Sequence, residues 1–325
     1  MEKENEGGHG IDTPLPDLVF LGTPDFAVPT LRKLIEAGAT VRLVITQPDR
    51  PRGRGRKVAK SPVKMLAEEM GIPVYQPERI RGEEVMGRIR SFGGKCAVVV
   101  AFGQIVPQDF LDSFPLGTLN VHASLLPRLR GAAPIQRAIL SGESETGISI
   151  MLLDAGMDTG PVLSQWAVPI EPEDNLGTLH DRLAETGAVL LLETLRDWTA
   201  GRVNPNAQDE KLVTYAPPLQ KNELQIHWNL PAKDIINTIR AFDPWPGAYF
   251  HYQGKRIKCF EAHSFPWSGE GGPGEVVGMS EAGIIVTGGD RKALSIGELQ
   301  MEGQRRIGAD EFLRGRPIPA GSFLE

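Results

Sequence analysis

Residues 17–46 read DLVFLGTPDFAVPTLRKLIEAGATVRLVIT, and their pattern decides the fold. Asp17–Gly22 is an apolar run of strand length, and Thr23-Pro24 then offers an N-cap and a proline suited to the first helical position. The helix is expected to close at Gly38, and Thr40–Thr46 reads as the next strand. Strand, helix and strand in such close succession imply parallel pairing through a right-handed crossover. The turn Gly22–Ala27 lacks the second and third glycines of a dinucleotide fingerprint, which disfavours nicotinamide binding.

Downstream the same alternation continues. Ser61-Pro62 caps a helix that closes at Gly71, Ile72–Tyr75 reads as a strand and Gly82–Phe92 as a helix. CAVVVAF at 96–102 is a continuous apolar run, as expected for the centre of a parallel sheet covered on both faces. Gly147–Leu153 and Val162–Ile170 are joined by so short a turn that they should form an antiparallel addition at the sheet edge. A long helix is expected over Asn175–Ala200. The fold class is therefore α/β, a mostly parallel sheet with helices on both faces.

Beyond residue 201 the pattern changes. Residues 202–220 read as a linker, and 221–325 as a smaller domain with a helix at Ala232–Phe242. Short strands follow at Ala248–Tyr252, Arg256–His263, Gly274–Val277, Gly283–Thr287 and Ala293–Leu299, which suggests a small barrel. Phe242 and Trp245 read as core or turn packing. The opening residues 1–16 are acidic and Gly-rich, without the basic and apolar blocks of a signal peptide, and read as a disordered leader.

Composition narrows the function classes. Hydrophobic residues make up 41% and charged residues 23% of the 325, the balance of an ordinary globular protein, and no run is long enough to span a membrane. The formal charge of −6 argues against indiscriminate nucleic-acid binding, so any RNA contact must come from a local basic patch. The two cysteines, Cys96 and Cys259, suggest neither a disulfide framework nor a metal site, and a reducing cytoplasm is the default.

The stretch 119–134, LNVHASLLPRLRGAAP, carries the chemistry. Strand side chains alternate faces, so Asn120 and His122 point the same way at a strand end. An amide N–H and an imidazole together can hold a developing negative oxygen and move a proton. A second turn, DAGMDTGP at 154–161, can bring a carboxylate to the same edge. A strand-end Asn-x-His alone is more often a satisfied polar pair; the second turn shifts the balance. Ser124 lacks the Gly-x-Ser-x-Gly setting of a nucleophile. The backbone of Phe102, Gly103 and Gln104, beyond the end of the central strand, is a suitable wall for a flat heterocycle such as a pterin. TQPDRPRGRGRKVAK at 46–60 sets six cations against Asp49 alone, and its prolines and glycines predict a mobile loop without helix or strand. By spacing alone such a run reads as a solvated loop.

Asn120, His122, Ser124–Pro127 and Asp158 together resemble the signature of the formyltransferase family that uses 10-formyltetrahydrofolate. The longer run SLLPRLRGAAPIQRAI is most similar to the branch that acts on methionyl initiator tRNA, and PRGRG at 51–55 matches that branch's Pro-x-Gly-Arg-Gly. The resemblance implies a Rossmann-like catalytic domain over 17–201 and an OB-like C-terminal barrel. It implies Asn120, His122 and Asp158 as catalytic residues, with the division of proton transfer between His122 and Asp158 left open. Phe102, Gly103, Gln104, Ser124, Leu125, Leu126, Pro127 and Asp154 become the candidates for the folate site, and no metal is expected. Arg50, Arg52, Arg54, Arg56 and Lys57 become candidates for the tRNA acceptor arm, Arg54 foremost. A bacterial cytoplasmic monomer is expected. Relatives formylate glycinamide ribonucleotide or an amino sugar nucleotide, or hydrolyse the formyl donor, with the same three residues, so these cannot choose the acceptor.

Overall fold

A computed structural model describes residues 14–52 and 57–325. Most of the expected leader lies outside them. The chain runs β1 (Leu18–Gly22), α1 (Val28–Glu36), β2 (Val41–Ile45), β3 (Arg50–Arg52), β4 (Lys57–Ala59), α2 (Pro62–Glu69), β5 (Val74–Tyr75), α3 (Glu83–Ser91), β6 (Cys96–Val100), α4 (Gln108–Leu111), β7 (Thr118–His122), β8 (Arg130–Gly131) and α5 (Pro134–Leu140). It continues with β9 (Glu145–Leu152), β10 (Val162–Pro169), α6 (Leu176–Thr199), β11 (Tyr215–Ala216), α7 (Ala232–Phe242), β12 (Ala248–Tyr252), β13 (Lys255–Phe265), β14 (Val276–Ser280), β15 (Gly283–Thr287), β16 (Ala293–Met301), β17 (Ile307–Gly308) and α8 (Ala309–Gly315). Two compact units share these elements. Of the described residues, the first holds those up to Pro127, Ile148–Trp166 and Leu183–Leu212; the second holds Arg128–Gly147, Ala167–Arg182 and Val213–Glu325.

In the first unit a seven-stranded sheet has the order β10-β9-β7-β6-β1-β2-β5. The pairs β1–β2, β1–β6, β2–β5 and β6–β7 are parallel, and β7–β9 is antiparallel. The sheet is thus the mostly parallel kind expected, with the antiparallel addition at one edge. β1, β6 and β7 are buried along their whole length, which matches unbroken or nearly unbroken apolar runs in the sequence. On one face Val19, Leu21, Leu43, Ile45, Ala97 and Val99 pack with Met86 and Ile89 of α3 and with Phe110 and Leu111 of α4. On the other face α6 meets β7 so closely at Gly187 that a Cβ there would lie 2.9 Å from Val121. Helices therefore cover both faces.

Three local expectations are corrected. Thr23 is no N-cap: its hydroxyl donates to the Phe102 carbonyl, residues 25–27 form a 3-10 turn, and α1 begins at Val28 with Pro29 in its first turn. The cap expected at Ser61 does form, its hydroxyl accepting from the Lys64 N–H at 3.1 Å. The 46–60 stretch is not free of strand, because β3 and β4 pair antiparallel with Pro51 opposite Val58 and Arg52 opposite Lys57. An isolated two-stranded ribbon tolerates proline where a central strand would not. Within 202–220 the chain forms a 3-10 turn at Glu210–Leu212, and β11 pairs parallel with β8.

The second unit is built on an antiparallel sheet of order β12-β13-β16-β15-β14, with β17 on β16. Ile235, Ile239 and Phe242 from α7 enter its core with Phe250, Ile284, Leu294 and Ile296. Trp228 sits edge-on to Phe250 with ring centroids 6.0 Å apart. This antiparallel β domain includes the five expected strands, β14 displaced toward Ser280, and a sixth short strand, β17, that the sequence did not suggest. Phe242 is core as expected, whereas Trp245 is 76% exposed.

Candidate functional site

β7 carries the first two candidates. Because β6 and β7 run parallel with Val99 opposite Asn120, Asn120 shares the face on which Val99 packs, and His122 lies two residues on, on the same face. Leu119 and Val121 fill the opposite face. Both polar side chains are buried, Asn120 at 8% and His122 at 6% exposure. A polar pair held at the end of a buried strand has its orientation set by the sheet rather than by a loop.

The third candidate arrives from the turn between β9 and β10. Asp158 Oδ2 lies 3.7 Å from His122 Nδ1, within reach of an ion pair with a protonated imidazole and longer than a hydrogen bond. Sequence-distant turns are thus brought together on one side of the sheet. Asp158 itself adopts a left-handed backbone, φ +54°, which is uncommon for a residue with a side chain. The turn holds that conformation through several contacts. Asp154 Oδ1 accepts from the Gly156 N–H at 3.0 Å and from the Thr159 hydroxyl at 2.7 Å, so this carboxylate shapes the turn. Gly160 passes so close to β9 that a Cβ would lie 1.8 Å from the Leu152 carbonyl oxygen.

The loop after β7 is tied down by a residue that the sequence did not flag. Ser149 of β9 is fully buried; its hydroxyl donates to the Ser124 carbonyl at 2.6 Å and accepts from the Leu126 N–H at 3.0 Å. Gln165 Nε2 donates to the same hydroxyl and to the Leu126 carbonyl, each at 2.8 Å. The loop's shape is consequently set by side chains from β9 and β10. Ser124 is buried, and Leu126 is core, packed with Met151 and Val162; Leu125 and Pro127 are half-buried and reach the surface. A serine inside an otherwise apolar strand was the available signal for Ser149. Gln165 carried none.

A cavity of about 410 Å³ lies at the carboxyl ends of the central strands. Thr23 and Pro24 after β1, Gln47 and Pro48 after β2, and Ala101–Gly103 after β6 line it, with Arg50 and Ala59 of the β3–β4 ribbon at its border. This is the point where strand order reverses, β1 leading to β2 on one side and β6 lying on the other, the usual ligand position in an open α/β sheet. Phe102 is buried, and its carbonyl accepts from Thr23 Oγ1 at 3.0 Å and Gln47 Nε2 at 3.2 Å. Gly103 takes a positive φ and is exposed at the wall. Gln104 turns elsewhere, its side chain accepting from the Ile80 N–H and donating to the Glu78 carbonyl.

The root of the basic stretch is anchored. Lys64 Nζ contacts Asp49 Oδ2 at 2.6 Å and Gln76 Oε1 at 2.7 Å, and Gln76 Nε2 donates to Asp49 Oδ1 and to the Gln47 carbonyl, both at 2.8 Å. The hydrogen bonds from Lys64 and Gln76 hold the Asp49 carboxyl below its usual range. The acid expected to offset the arginines is thus engaged by a lysine of α2. Arg50 is exposed beside the cavity; Arg52 and Lys57 are described only as backbone in β3 and β4; Arg54 and Arg56 lie outside the described residues.

Neither thiol is suited to nucleophilic chemistry, since burial pushes Cys96 up to about 12 and raises Cys259 as well. Among the described residues no group of three or more His, Cys, Asp and Glu side chains could hold a metal ion, and no helix is long and apolar enough to cross a membrane.

Comparison with known proteins accounts for the arrangement. The family described as formyl transferase matches residues 17–195, and the formyl transferase C-terminal domain matches 218–317. The methionyl-tRNA formyltransferase of Geotalea uraniireducens is 47% identical over 309 residues, covering 94% of this chain and 97% of the relative. That of Bacillus velezensis is 44% identical over 94% of this chain and 97% of its own length. Among solved structures, HypX from Aquifex aeolicus in complex with tetrahydrofolic acid aligns with a TM-score of 0.62 at 18% identity, over 95% of this chain and 50% of that one. The sugar 3N-formyl transferase WlaRD aligns at 0.63 and 19%, over 90% of this chain and 99% of its own. At such identities the solved structures speak for the fold alone; the match to the family over more than half the chain, and to relatives nearly end to end, shows that the chain belongs to the formyl transferase family and groups within it with the methionyl-tRNA formyltransferases.

Proposed function

We propose that the protein transfers the formyl group of 10-formyltetrahydrofolate to the α-amino group of methionyl initiator tRNA, by direct acyl transfer, for translation initiation. The acyl-transfer chemistry is supported by the approach of Asp158 to His122, 3.7 Å between carboxylate and imidazole, with Asn120 on the same strand face, and the acceptor by the near end-to-end match to methionyl-tRNA formyltransferases. An amine attacks the formyl carbon, the carbonyl oxygen gathers negative charge in a tetrahedral intermediate, and the folate nitrogen leaves. Asn120 donates its side-chain N–H to that oxygen. His122 supplies a second donor and moves a proton, and Asp158 orients it or takes the amine proton through water. No covalent enzyme intermediate is needed.

The two substrates must lie side by side. The wall at Phe102 and Gly103, the exposed parts of Leu125 and Pro127, and the turn shaped by Asp154 serve the formyl donor. The border of the cavity formed by Arg50, together with Arg52, Arg54, Arg56 and Lys57, serves the acceptor arm, since phosphate contacts are made chiefly by such cations. The enzyme acts as a monomer in the bacterial cytoplasm.

The test is acceptor choice. The protein is incubated with 10-formyltetrahydrofolate and, in separate reactions, methionyl initiator tRNA, free methionine, an amino sugar nucleotide and glycinamide ribonucleotide. Formylation of the charged tRNA with the others unreacted is the expected result; turnover of a small acceptor instead would overturn it.

A further inference from the structure

We infer that Gln208 is the positioning residue for Asp158. Its side-chain amide reaches back across the chain and donates from Nε2 to two carbonyl oxygens of the turn, Asp158 O at 2.8 Å and Gly160 O at 2.7 Å. One is the carbonyl of Asp158 itself and the other lies two residues on, so the amide grips the chain immediately after the residue whose φ is +54° and whose carboxylate lies 3.7 Å from His122.

The approach of Gln208 is itself built in. Asn206 pairs with Val162 through two backbone hydrogen bonds of 2.8 Å, which lay the 206–208 segment alongside the start of β10. From there one planar amide bridges two peptide groups that point outward from the turn. Asp154 and Thr159 brace the interior of the turn, and Gly160 is pressed against Leu152. A left-handed non-glycine residue persists only where its surroundings over-determine it, and Gln208 supplies the outer constraint. Both contacts go to the backbone of the turn that carries Asp158, so Gln208 acts through that residue.

For its kinetic consequence the proposal rests on the formyl-transfer reading; for its structural consequence it does not. Gln208→Met keeps the length and bulk of the side chain and removes both donors. Amide hydrogen exchange over residues 151–161 is expected to speed up in this variant while the thermal midpoint stays near that of the wild type. Under formyl transfer to methionyl-tRNA, kcat is expected to fall roughly ten- to a hundredfold with KM for both substrates little changed, as displacement of a positioned group does. In the Asp158→Asn background the same substitution should cost much less, since both changes then act on one device. Unchanged exchange in the turn, a wild-type kcat, or losses that multiply in the double variant would each overturn the proposal. Were the wild-type protein to formylate none of the acceptors, the functional reading would fall, and the exchange measurement would still decide the role of Gln208.

Discussion

Asn120 and His122 are set by a strand period of two, so their shared face is readable from the sequence itself. The period places them on one face, and burial removes the water that would otherwise solvate a developing oxyanion. Asn120→Ala is expected to lower kcat by about 10²–10³-fold, and His122→Ala by about 10²–10⁴-fold, with donor binding retained in a separate titration. Asp158→Asn keeps the shape and removes the charge, so its pH–rate profile should differ from that of the wild type; superimposable profiles would disconnect this carboxylate from proton transfer. The residues that hold these groups were far less legible. Ser149, Gln165 and Gln208 each act by a side-chain contact to backbone or hydroxyl groups remote in sequence, up to 50 residues away for Gln208 and Asp158. Periodicity and motif spacing carry no trace of such contacts, and a glutamine in an irregular stretch reads as solvent-facing until the chain is folded.

Among the elements, the parallel core was the most legible, because strands buried on both faces write themselves as apolar runs. The β3–β4 ribbon was the least, since proline and glycine argue for loop while saying nothing of a short antiparallel pairing. Asp49, beside the first residue of the ribbon, is already engaged by Lys64 and Gln76, and the neighbouring Arg50 is exposed. Arg54→Ala is therefore expected to raise KM for the charged tRNA, leave donor affinity alone, and lower the slope of log affinity against log salt by about one. A slope and KM equal to those of the wild type would leave the ribbon as a solvated ornament.

At the scale of the whole molecule, the second unit is held by charged groups from distant segments. Asp174 is 5% exposed; its carboxylate accepts from Arg182, from the Glu171 N–H at 2.8 Å and from the Thr178 hydroxyl at 2.9 Å, and its carbonyl accepts from Arg240 at 2.5 Å. Burial alone would raise this carboxyl, but the hydrogen bonds from Arg182, Glu171 and Thr178 outweigh it and hold the group below its ordinary 3.8. A carboxyl lowered in the folded state contributes stability that is present above the unfolded value and is lost as pH falls through the lowered one. Asp174→Asn should then destabilise by about 1–3 kcal/mol at neutral pH, and the gap to the wild type should close on acidification below 3.8. Thermal midpoints of both proteins across that range check the sign. A gap that stayed constant with pH would dissociate the effect from ionisation.

The interleaving of the two units has a genealogical consequence. The second unit draws on 128–147 and 167–182 as well as on the chain from Val213, and Arg137 joins Glu223 across the first of these seams as Arg240 joins Asp174 across the second. Recombination that exchanged only the C-terminal third between two homologues would import one side of each seam without the other. Chimeras and ancestral lineages alike should inherit those two upstream patches together with the tail, as a single heritable block interrupted in the gene but continuous in space.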